Sequence, residues 1–198
     1  FAQNWQYVGT PNINQTVSST TYLYSPDLEF NAAGEVFAGY YDYAGNIYFA
    51  KSNAGSWVQL PAPGYYPGSP GTTLQNVDVE VKDSNNYIAY SRTIVSTNYV
   101  YVKKYNGTAW IQLGDSMLLS SGAFDFLLDT NEVPTVLGVV APGFGQDKQM
   151  MQYSGSAWVS VCTLAGTAAS LSNESSCIFD AQNKLYCPSG GYVLTPSF

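Results

Sequence analysis

The sequence predicts an all-β protein, a four-bladed β-propeller that occupies residues 1–198 as a single domain. Three observations predict it. A tryptophan-containing motif recurs about every 50 residues, a second strand-like motif recurs with nearly the same period, and the last repeat lacks the tryptophan with which the chain begins. Periods of this length are typical of architectures in which each unit buries its faces against its neighbours.

The first motif is clearest at residues 105–114, which read YNGTAWIQLG. It recurs as YSGSAWVSV at 153–161 and in a shorter form as NAGSWVQL at 53–60, and a fragment, WQYVG, stands at 5–9. All four tryptophans occupy this position, with spacings of 52, 53 and 48 residues. The glycine before each internal tryptophan predicts a tight hairpin whose second strand carries the indole ring.

The second motif precedes each hairpin and reads DLEF at 27–30, DVEV at 78–81, DFLL at 125–128 and SCIF at 176–179. The first residues of these copies lie 51, 47 and 51 residues apart. Each copy runs into a segment rich in Asn, Asp or Gly and then into a second alternating apolar run, which predicts a strand, a turn and a strand. One repeat is therefore four strands, with the tryptophan on the fourth.

The final repeat contains three strands, the third at residues 190–194, and ends before any tryptophan. The strand that contains Trp5 is the missing one, so we expect it to complete the last blade, as N-terminal strands do in closed propellers. A β-sandwich is the main alternative. It does not explain four equally placed tryptophans or a split final repeat.

Composition restricts the function. Charged residues make up 11% of the chain and the net charge is −7 with seven Lys and Arg, so a nucleic-acid surface or an anionic membrane surface is not expected. No apolar run approaches the roughly 20 residues that a membrane helix needs, so no membrane insertion is expected. Because the sequence begins with Phe1 and shows no basic and apolar leader, we interpret it as a mature secreted product that is extracellular or at the cell surface.

The combination of an Asp strand, an Asn/Gly turn and a Gly-x-Trp-x-x-Leu-Gly hairpin resembles the short-blade propellers of secreted proteins. These include tryptophan-rich lectin propellers and, in blade number, hemopexin-type domains. The resemblance covers the whole chain and implies the architecture. It implies no particular activity, because propellers carry many unrelated functions.

Catalytic residue types are scarce. The chain has no histidine, which excludes catalytic triads, Cys-His pairs and histidine metal sites, and its single arginine, Arg92, makes phosphoryl transfer improbable. Paired carboxylates that hydrolyse glycosides remain as the enzymatic alternative. A scaffold this small, without long insertions to build a cleft, favours a protein that is not an enzyme.

The aligned carboxylates Asp27, Asp78 and Asp125 raise the question of a metal. If their strands are innermost, these side chains ring the central channel together with Ser176, and oxygen ligands around an axis suit Ca²⁺. The alternative is that each Asp accepts backbone hydrogen bonds at the start of its strand or faces solvent. We favour this alternative, so no cofactor is expected and Ca²⁺ is a secondary hypothesis.

The three cysteines are not equivalent. Cys177 and Cys187 are symmetric about Gln182, the centre of the predicted hairpin in the last repeat, so they would face each other at disulfide distance. Cys162 lies four residues after Trp158, at the end of an outer strand. A leftover cysteine in a secreted chain suggests a bond to another molecule, and a buried free thiol is the alternative.

Three N-glycosylation sequons begin at Asn14, Asn106 and Asn173, all in segments expected to be accessible. Two loops also present aromatic side chains. The proline-rich connector 60–71 contains Tyr65 and Tyr66, and the segment 141–145 contains Phe144. Each loop is a candidate contact surface for a partner or a sugar, and the connector is otherwise a rigid spacer.

Two functions are compatible with these features. The first is a structural protein that associates with copies of itself into a filament, sheath or surface layer, favoured by low charge, abundant aromatic residues and the odd Cys162. The second is a carbohydrate-binding lectin-type propeller. The lectin hypothesis requires exposed tryptophan faces, and it loses that support if the indole rings pack between blades.

Overall fold

The structure is a computed structural model, and it describes residues 23–42, 44–65, 72–119, 123–139, 148–164, 177–187 and 192–194. Every regular element in this part of the chain is a β-strand, and the strands form four antiparallel sheets in chain order. In each sheet the first strands form a meander in which consecutive strands are neighbours. No helix within the described segments is long and apolar enough to cross a membrane.

The strands of the first two sheets are long. The first sheet contains β1 (Leu23–Phe30), β2 (Val36–Asp42), β3 (Asn46–Asn53), β4 (Ser56–Gln59) and β5 (Gly64–Tyr65). The second sheet contains β6 (Thr72–Lys82), β7 (Asn85–Ile94), β8 (Thr97–Tyr105), β9 (Trp110–Gln112) and β10 (Met117–Leu119).

The strands of the last two sheets are shorter. The third sheet contains β11 (Phe124–Leu128), β12 (Pro134–Val139), β13 (Lys148–Tyr153) and β14 (Trp158–Leu164). The fourth contains β15 (Ile178–Phe179), β16 (Leu185–Cys187) and β17 (Tyr192–Leu194). The third sheet has four strands with the tryptophan strand last, as predicted for each repeat, and three strands of the fourth sheet are described. The first two sheets each have a fifth strand after the tryptophan strand, which the repeat did not predict.

The outer edge of the first two sheets is an interrupted strand, which the repeats did not predict. In the second sheet β9 pairs with one end of β8 and β10 with the other. Leu113 still donates its N–H to the Val102 carbonyl oxygen, and residues 114–116 then leave the ladder. In the first sheet β4 and β5 both pair with β3, Leu60 donates its N–H to the Phe49 carbonyl oxygen, and 61–63 lie outside the ladder. The third sheet keeps a continuous β14, which has a bulge opposite Met150 and Met151. Of the two loops, the one in the second sheet carries polar side chains, Asp115 and Ser116.

Turn chemistry follows the predicted Asn, Asp and Gly positions. The Oδ1 atoms of Asn31, Asp129 and Asp180 each accept a hydrogen bond from the backbone N–H of the residue four positions later, at 2.8–2.9 Å. This contact closes the turn between the first and second strands. Before the tryptophan, Gly107 and Gly155 both have a φ of 95°, a conformation that favours glycine. The repeated hairpin is therefore the same local structure in the second and third sheets.

Neighbouring sheets pack face to face through three hydrophobic clusters. The second strand of the second sheet contributes to two of them, because Ile88 and Tyr90 pack towards the first sheet while Tyr87 and Ala89 pack towards the third. A third cluster joins the third sheet to Cys177 and Leu185 of the fourth. The first strands also contact one another in order, β1 with β6, β6 with β11 and β11 with β15. The sheets thus stack in sequence with their first strands adjacent.

The first sheet differs at the positions where a preceding sheet would pack. Val79 and Phe126 are 1% exposed there, whereas the equivalent Leu28 is 56% exposed and its neighbour Phe30 is 61% exposed. In the described part of the chain, no preceding sheet covers Leu28 and Phe30 of β1. The predicted closing strand with Trp5 lies outside the described residues, so closure and the count of four blades stay predictions.

Candidate functional site

The tryptophan side chains of the second and third sheets dock onto the sheet that precedes them. The indole N–H of Trp110 donates to the carbonyl oxygen of Pro61 at 2.6 Å, and its ring meets Phe49 edge-on at 5.0 Å between centroids. In the next repeat, the indole N–H of Trp158 donates to the carbonyl oxygen of Leu113 at 2.7 Å. Both rings are half-buried between adjacent sheets. The motif that defines the repeat is therefore an inter-sheet clamp.

A pocket with a volume of about 280 Å³ lies where Trp158 meets the interrupted outer strand of the second sheet. One wall comes from the interruption and from β10, and the other from β13 and the hairpin before Trp158. The lining residues are Asp115, Ser116, Met117, Leu118, Met151, Ser156, Ala157 and Trp158. Because the chain leaves the ladder at 114–116, the polar side chains of that loop reach the gap between sheets.

The pocket combines a small polar set with an apolar wall. Asp115 supplies a carboxylate, and Ser116 and Ser156 supply hydroxyl groups. Met117, Met151 and the edge of Trp158 supply the apolar surface. Few polar groups on a mostly apolar concave surface are typical of small-molecule sites. Since no cation lines this pocket, its chemistry favours a neutral ligand with hydroxyl groups over an anionic one.

Gly114 positions Trp158 against the pocket. Its φ of 63° lies in the left-handed region, and a Cβ at this position would lie 3.1 Å from Cδ1 of Trp158 and 3.3 Å from its Nε1. Only glycine therefore lets the indole ring approach the backbone this closely. The equivalent residue before the first gap between sheets is Pro61, whose carbonyl receives the Trp110 N–H.

The aligned aspartates join one sheet to the next. The Asp27 carboxylate accepts the Val79 N–H at 2.7 Å, and the Asp78 carboxylate accepts the Phe126 N–H at 2.8 Å. Backbone hydrogen bonding was the alternative we favoured, but the donors belong to the following sheet. Asp125 has the equivalent place on β11, and Ser176 lies outside the described residues. Among the residues described, no three acidic or other ligating side chains form a metal-binding group, so the Ca²⁺ hypothesis gains no support.

The same first strands bring several carboxyl groups together. Burial raises the pKa of Asp78 well above its usual value, and the nearby Asp27 raises it further. Burial, with Glu29 and Asp27 close by, raises the pKa of Glu80 from 4.5 to about 8. The pKa of Glu29 is raised as well, because this side chain is half-buried. The strands for which Ca²⁺ was a secondary hypothesis therefore hold carboxyl groups that resist ionisation.

The cysteines lie near their predicted places. β15 pairs with β16 so that Ile178 faces Tyr186, and this register continued by one residue sets Cys177 opposite Cys187. Cys177 is 1% exposed and carries no free thiol, whereas the side chain of Cys187 lies outside the described part, so their pairing stays a prediction. Cys162 is a free, half-buried cysteine on β14 that packs against the third cluster. Its proposed bond to another molecule is untested.

Several sequence-predicted sites fall on residues that the structure does not describe. These are the sequons at Asn14 and Asn173, the side chains of Tyr65 and Tyr66, and Phe144. Asn106 is described and lies exposed at the tip of the hairpin before Trp110, where its Oδ1 accepts N–H groups from Thr108 and Ala109. Its accessibility agrees with the prediction, and its occupancy stays a prediction.

Sequence reasoning missed the pocket. It treated residues 113–116 as the end of an ordinary strand, because Gly114-Asp115 continues the repeat without an obvious break. The available signal was a comparison between repeats. The positions that carry Asp115, Ser116 and Met151 carry Ala62, Pro63 and Lys103 in the preceding unit. Where one repeat carries different residue types from its neighbour at equivalent positions, the surfaces of the two repeats differ there.

Comparison with solved structures decides the architecture. The chain resembles a fungal lectin from Aleuria aurantia, described as a six-bladed β-propeller with a novel fucose recognition mode, with a TM-score of 0.58 and 11% identity over 89% of this chain. A variant of that lectin in complex with α-methyl-L-fucoside matches with a TM-score of 0.58 and 10% identity. The chain has a β-propeller fold.

This chain covers only part of the length of these neighbours. It covers 61% of the first lectin chain and 60% of the fucoside complex. A xylan β-1,4-xylosidase from Bacillus halodurans is also similar, with a TM-score of 0.53 and 12% identity over 82% of this chain and 36% of the enzyme. The sequence matches no protein-family model and no curated protein. At these identities the likeness concerns the fold.

Proposed function

We propose that this propeller is a carbohydrate-binding, lectin-type protein without enzymatic activity, and that the pocket between its second and third sheets is a sugar site. The observation that carries the proposal is this pocket, which has a carboxylate, two hydroxyls and an apolar wall between adjacent sheets of a propeller. The structural neighbours include lectins described as recognising fucose. They favour sugar binding over the filament hypothesis.

The pocket chemistry fits a monosaccharide. A sugar presents hydroxyl groups on its rim and C–H groups on one face, so it needs hydrogen-bond acceptors and donors beside an apolar surface. The carboxyl group of Asp115 offers two acceptor oxygens to adjacent hydroxyls, and hydrogen bonds to a carboxylate are stronger than those to a neutral acceptor. Ser116 and Ser156 donate or accept at the opposite rim, while Met151 and Trp158 receive the apolar face.

The lectin hypothesis required exposed tryptophan faces. Trp110 and Trp158 pack between sheets and donate their indole N–H groups to backbone carbonyls, so their broad faces are not open platforms and do not supply that support. The lectin proposal rests on the pocket, where Trp158 contributes part of the wall.

Replacing Asp115 with asparagine should weaken sugar binding by tenfold or more, because a hydrogen bond to a charged acceptor contributes about 1.5–3 kcal/mol. The measurement is a glycan array on the purified protein, followed by calorimetric titration of methyl α-L-fucoside and of the best array sugar. The control is Asp83→Asn, which removes the same charge from an exposed turn and keeps a residue type that tolerates its φ of 54°. This control should bind like the wild type.

Two outcomes would contradict the proposal. The first is an array on which no glycan binds the folded wild-type protein. The second is equal loss of affinity in Asp115→Asn and Asp83→Asn, which would assign the effect to overall charge. Release of 4-nitrophenol from an aryl xyloside by the wild type would instead support the glycosidase alternative and overturn the non-enzymatic part of the proposal.

The filament hypothesis and the secreted location remain untested predictions. A disulfide to another molecule would need an accessible thiol, and Cys162 is half-buried against the third cluster. Non-reducing gels and electron microscopy of native material test this hypothesis directly. We retain the extracellular or cell-surface location as a proposal, together with occupancy of the exposed Asn106 sequon.

A further inference from the structure

The gap between the first and second sheets is built from the same repeat positions as the sugar pocket. Tyr105 pairs with Trp110 as Tyr153 pairs with Trp158, which aligns the two hairpins residue by residue. β5 and β10 likewise begin seven residues after their tryptophans, Trp57 and Trp110. The eight pocket residues therefore have counterparts in the first gap, namely Ala62, Pro63, Gly64, Tyr65, Lys103, Thr108, Ala109 and Trp110.

Lys103 bridges the first gap. It lies on β8 with its side chain directed at the first sheet, where its Nζ donates to the carbonyl oxygen of Pro63. The same ammonium group lies 5.8 Å from the centroid of the Tyr90 ring, within the range of a cation–π contact. Pro63 is itself buried. One side chain thus spans from the second sheet to the interrupted strand of the first.

At the gap between the second and third sheets, which contains the pocket, the residue at the repeat position of Lys103 is Met151. Met151 also points at the preceding sheet, where it packs against the cluster between the second and third sheets. A thioether has no strong donor, so it cannot bridge to the loop carbonyl as the lysine does. Loop 113–116 is held by the Trp158 indole on Leu113 and by the Gln112 side-chain amide, which donates to the Gly114 carbonyl oxygen, and no lysine crosses to it from Met151's position. The pocket lies in the space beside it.

We propose that Lys103 closes a second, latent copy of the pocket between the first and second sheets, and so sets how many sugars the propeller binds. This proposal rests on the proposed function for its ligand, although the closure itself is a property of the contacts of Lys103. Burial lowers the pKa of this lysine, as expected for an ammonium group held between two sheets. The loop residue Ala62 stands where Asp115 supplies the carboxylate, so the latent pocket also lacks its charged acceptor.

Two variants of the full chain test the inference. Lys103→Met installs the residue found at the open gap, and its crystal structure should show a cavity beside Trp110 comparable to that beside Trp158. Lys103→Met combined with Ala62→Asp also supplies the carboxylate. In calorimetric titration with methyl α-L-fucoside, the double variant should bind one more sugar per chain than the wild type.

Lys104→Met is the matched control. Lys104 is the adjacent residue on β8, and its Nζ lies 5.1 Å from the ring of Tyr87 on the opposite face of the sheet. It removes the same charge without opening the first gap, so the stoichiometry and the cavity should both stay unchanged.

The two proposals fail in different ways. A wild type that binds no glycan overturns the sugar function, and the crystal structure of Lys103→Met still tests the closure. A Lys103→Met structure whose first gap stays closed overturns the inference whatever the wild type binds. If the wild type binds the fucoside, a double variant that binds the same number of sugars per chain as the wild type also overturns the inference.

Discussion

Replacing Glu80 with glutamine should raise the thermal midpoint of unfolding at pH 8 by several degrees and flatten the pH dependence of stability between pH 5 and 8. Glu80 lies on β6, and its pKa is raised from 4.5 to about 8 by burial and by Glu29 and Asp27. In the folded protein this carboxyl group is thus neutral over a range in which it is ionised in the unfolded chain.

The direction of the effect follows from proton binding. A carboxyl group whose pKa is higher in the folded state takes up a proton on folding, so stability falls as pH rises from the unfolded to the folded pKa. The free energy of unfolding should decrease by up to about 1.4 kcal/mol per pH unit between about pH 5 and 8. The shifts of Asp78 and Glu29 have the same sign and add to it. The wild type should therefore be more stable at pH 5 than at pH 8.

Glutamine removes the ionisation and keeps the shape. We expect the free energy of unfolding of Glu80→Gln at pH 8 to exceed that of the wild type by on the order of 2 kcal/mol, or roughly 4–8 °C in a chain of this size. Denaturant titrations at pH 5, 6, 7 and 8 measure both quantities. The control is Glu35→Gln, because the Glu35 carboxylate is exposed and its hydrogen bonds to Asn31 and Lys51 lower its pKa.

The Glu35→Gln variant should therefore keep the wild-type dependence of the free energy of unfolding on pH between pH 5 and 8. A wild type whose stability rises between pH 5 and 8 would refute the assignment of neutral carboxyl groups to these first strands. A Glu80→Gln variant with the same pH profile as the wild type would show that other groups are responsible.

Replacing Gly39 with alanine should destabilise the protein by about 2–3 kcal/mol, the usual cost of inserting atoms into a packed core. Gly39 is buried on β2, and its backbone lies against Val79 and Val77 of the second sheet. A Cβ atom there would clash with Cγ1 of Val79 and lie 3.1 Å from Cγ1 of Val77. Valine side chains are stiff, so the collision cannot be relieved by a rotamer change alone.

A double-mutant cycle identifies the cause. Val79→Ala removes the colliding methyl groups, so Gly39→Ala should cost much less in that background than in the wild type. Gly138→Ala is the control because it also adds a Cβ between sheets, at 3.0 Å from the flexible end of Leu119. We expect it to cost about 1 kcal/mol. Equal stability of Gly39→Ala and wild type in urea titrations would show that the sheets separate readily.

Sequence reasoning predicted the local strands and turns because they depend on neighbouring residues. The alternating runs, the Asn and Asp turns and the glycine before each internal tryptophan all act within about ten residues, and they coincide with antiparallel strands and turns in the described part of the chain. The sequence did not predict which backbone N–H groups the aspartates would bind. The acceptor role was foreseen, but Asp27 and Asp78 hold the N–H groups of Val79 and Phe126 in the following sheet, about 50 residues away.

The candidate site could not be predicted for a related reason. One wall of the pocket comes from the interrupted strand of the second sheet and the other from the third sheet, whose Trp158 donates to the Leu113 carbonyl oxygen. The lectin hypothesis required an exposed face on such a tryptophan, and Trp158 instead packs between the sheets. Only packing reveals which surface of an aromatic ring remains free.

The sequence by itself determined the repeat, its strand order and the scarcity of catalytic side chains, since periodicity and composition are properties of the chain alone. The tertiary structure decided the contacts across the gaps between sheets. Lys103 and Met151 occupy the same repeat position, but Lys103 donates a hydrogen bond across its gap to the Pro63 carbonyl oxygen, whereas Met151 lines the pocket. A contact between sheets depends on residues brought together from separate repeats, so it exists only once the sheets have packed.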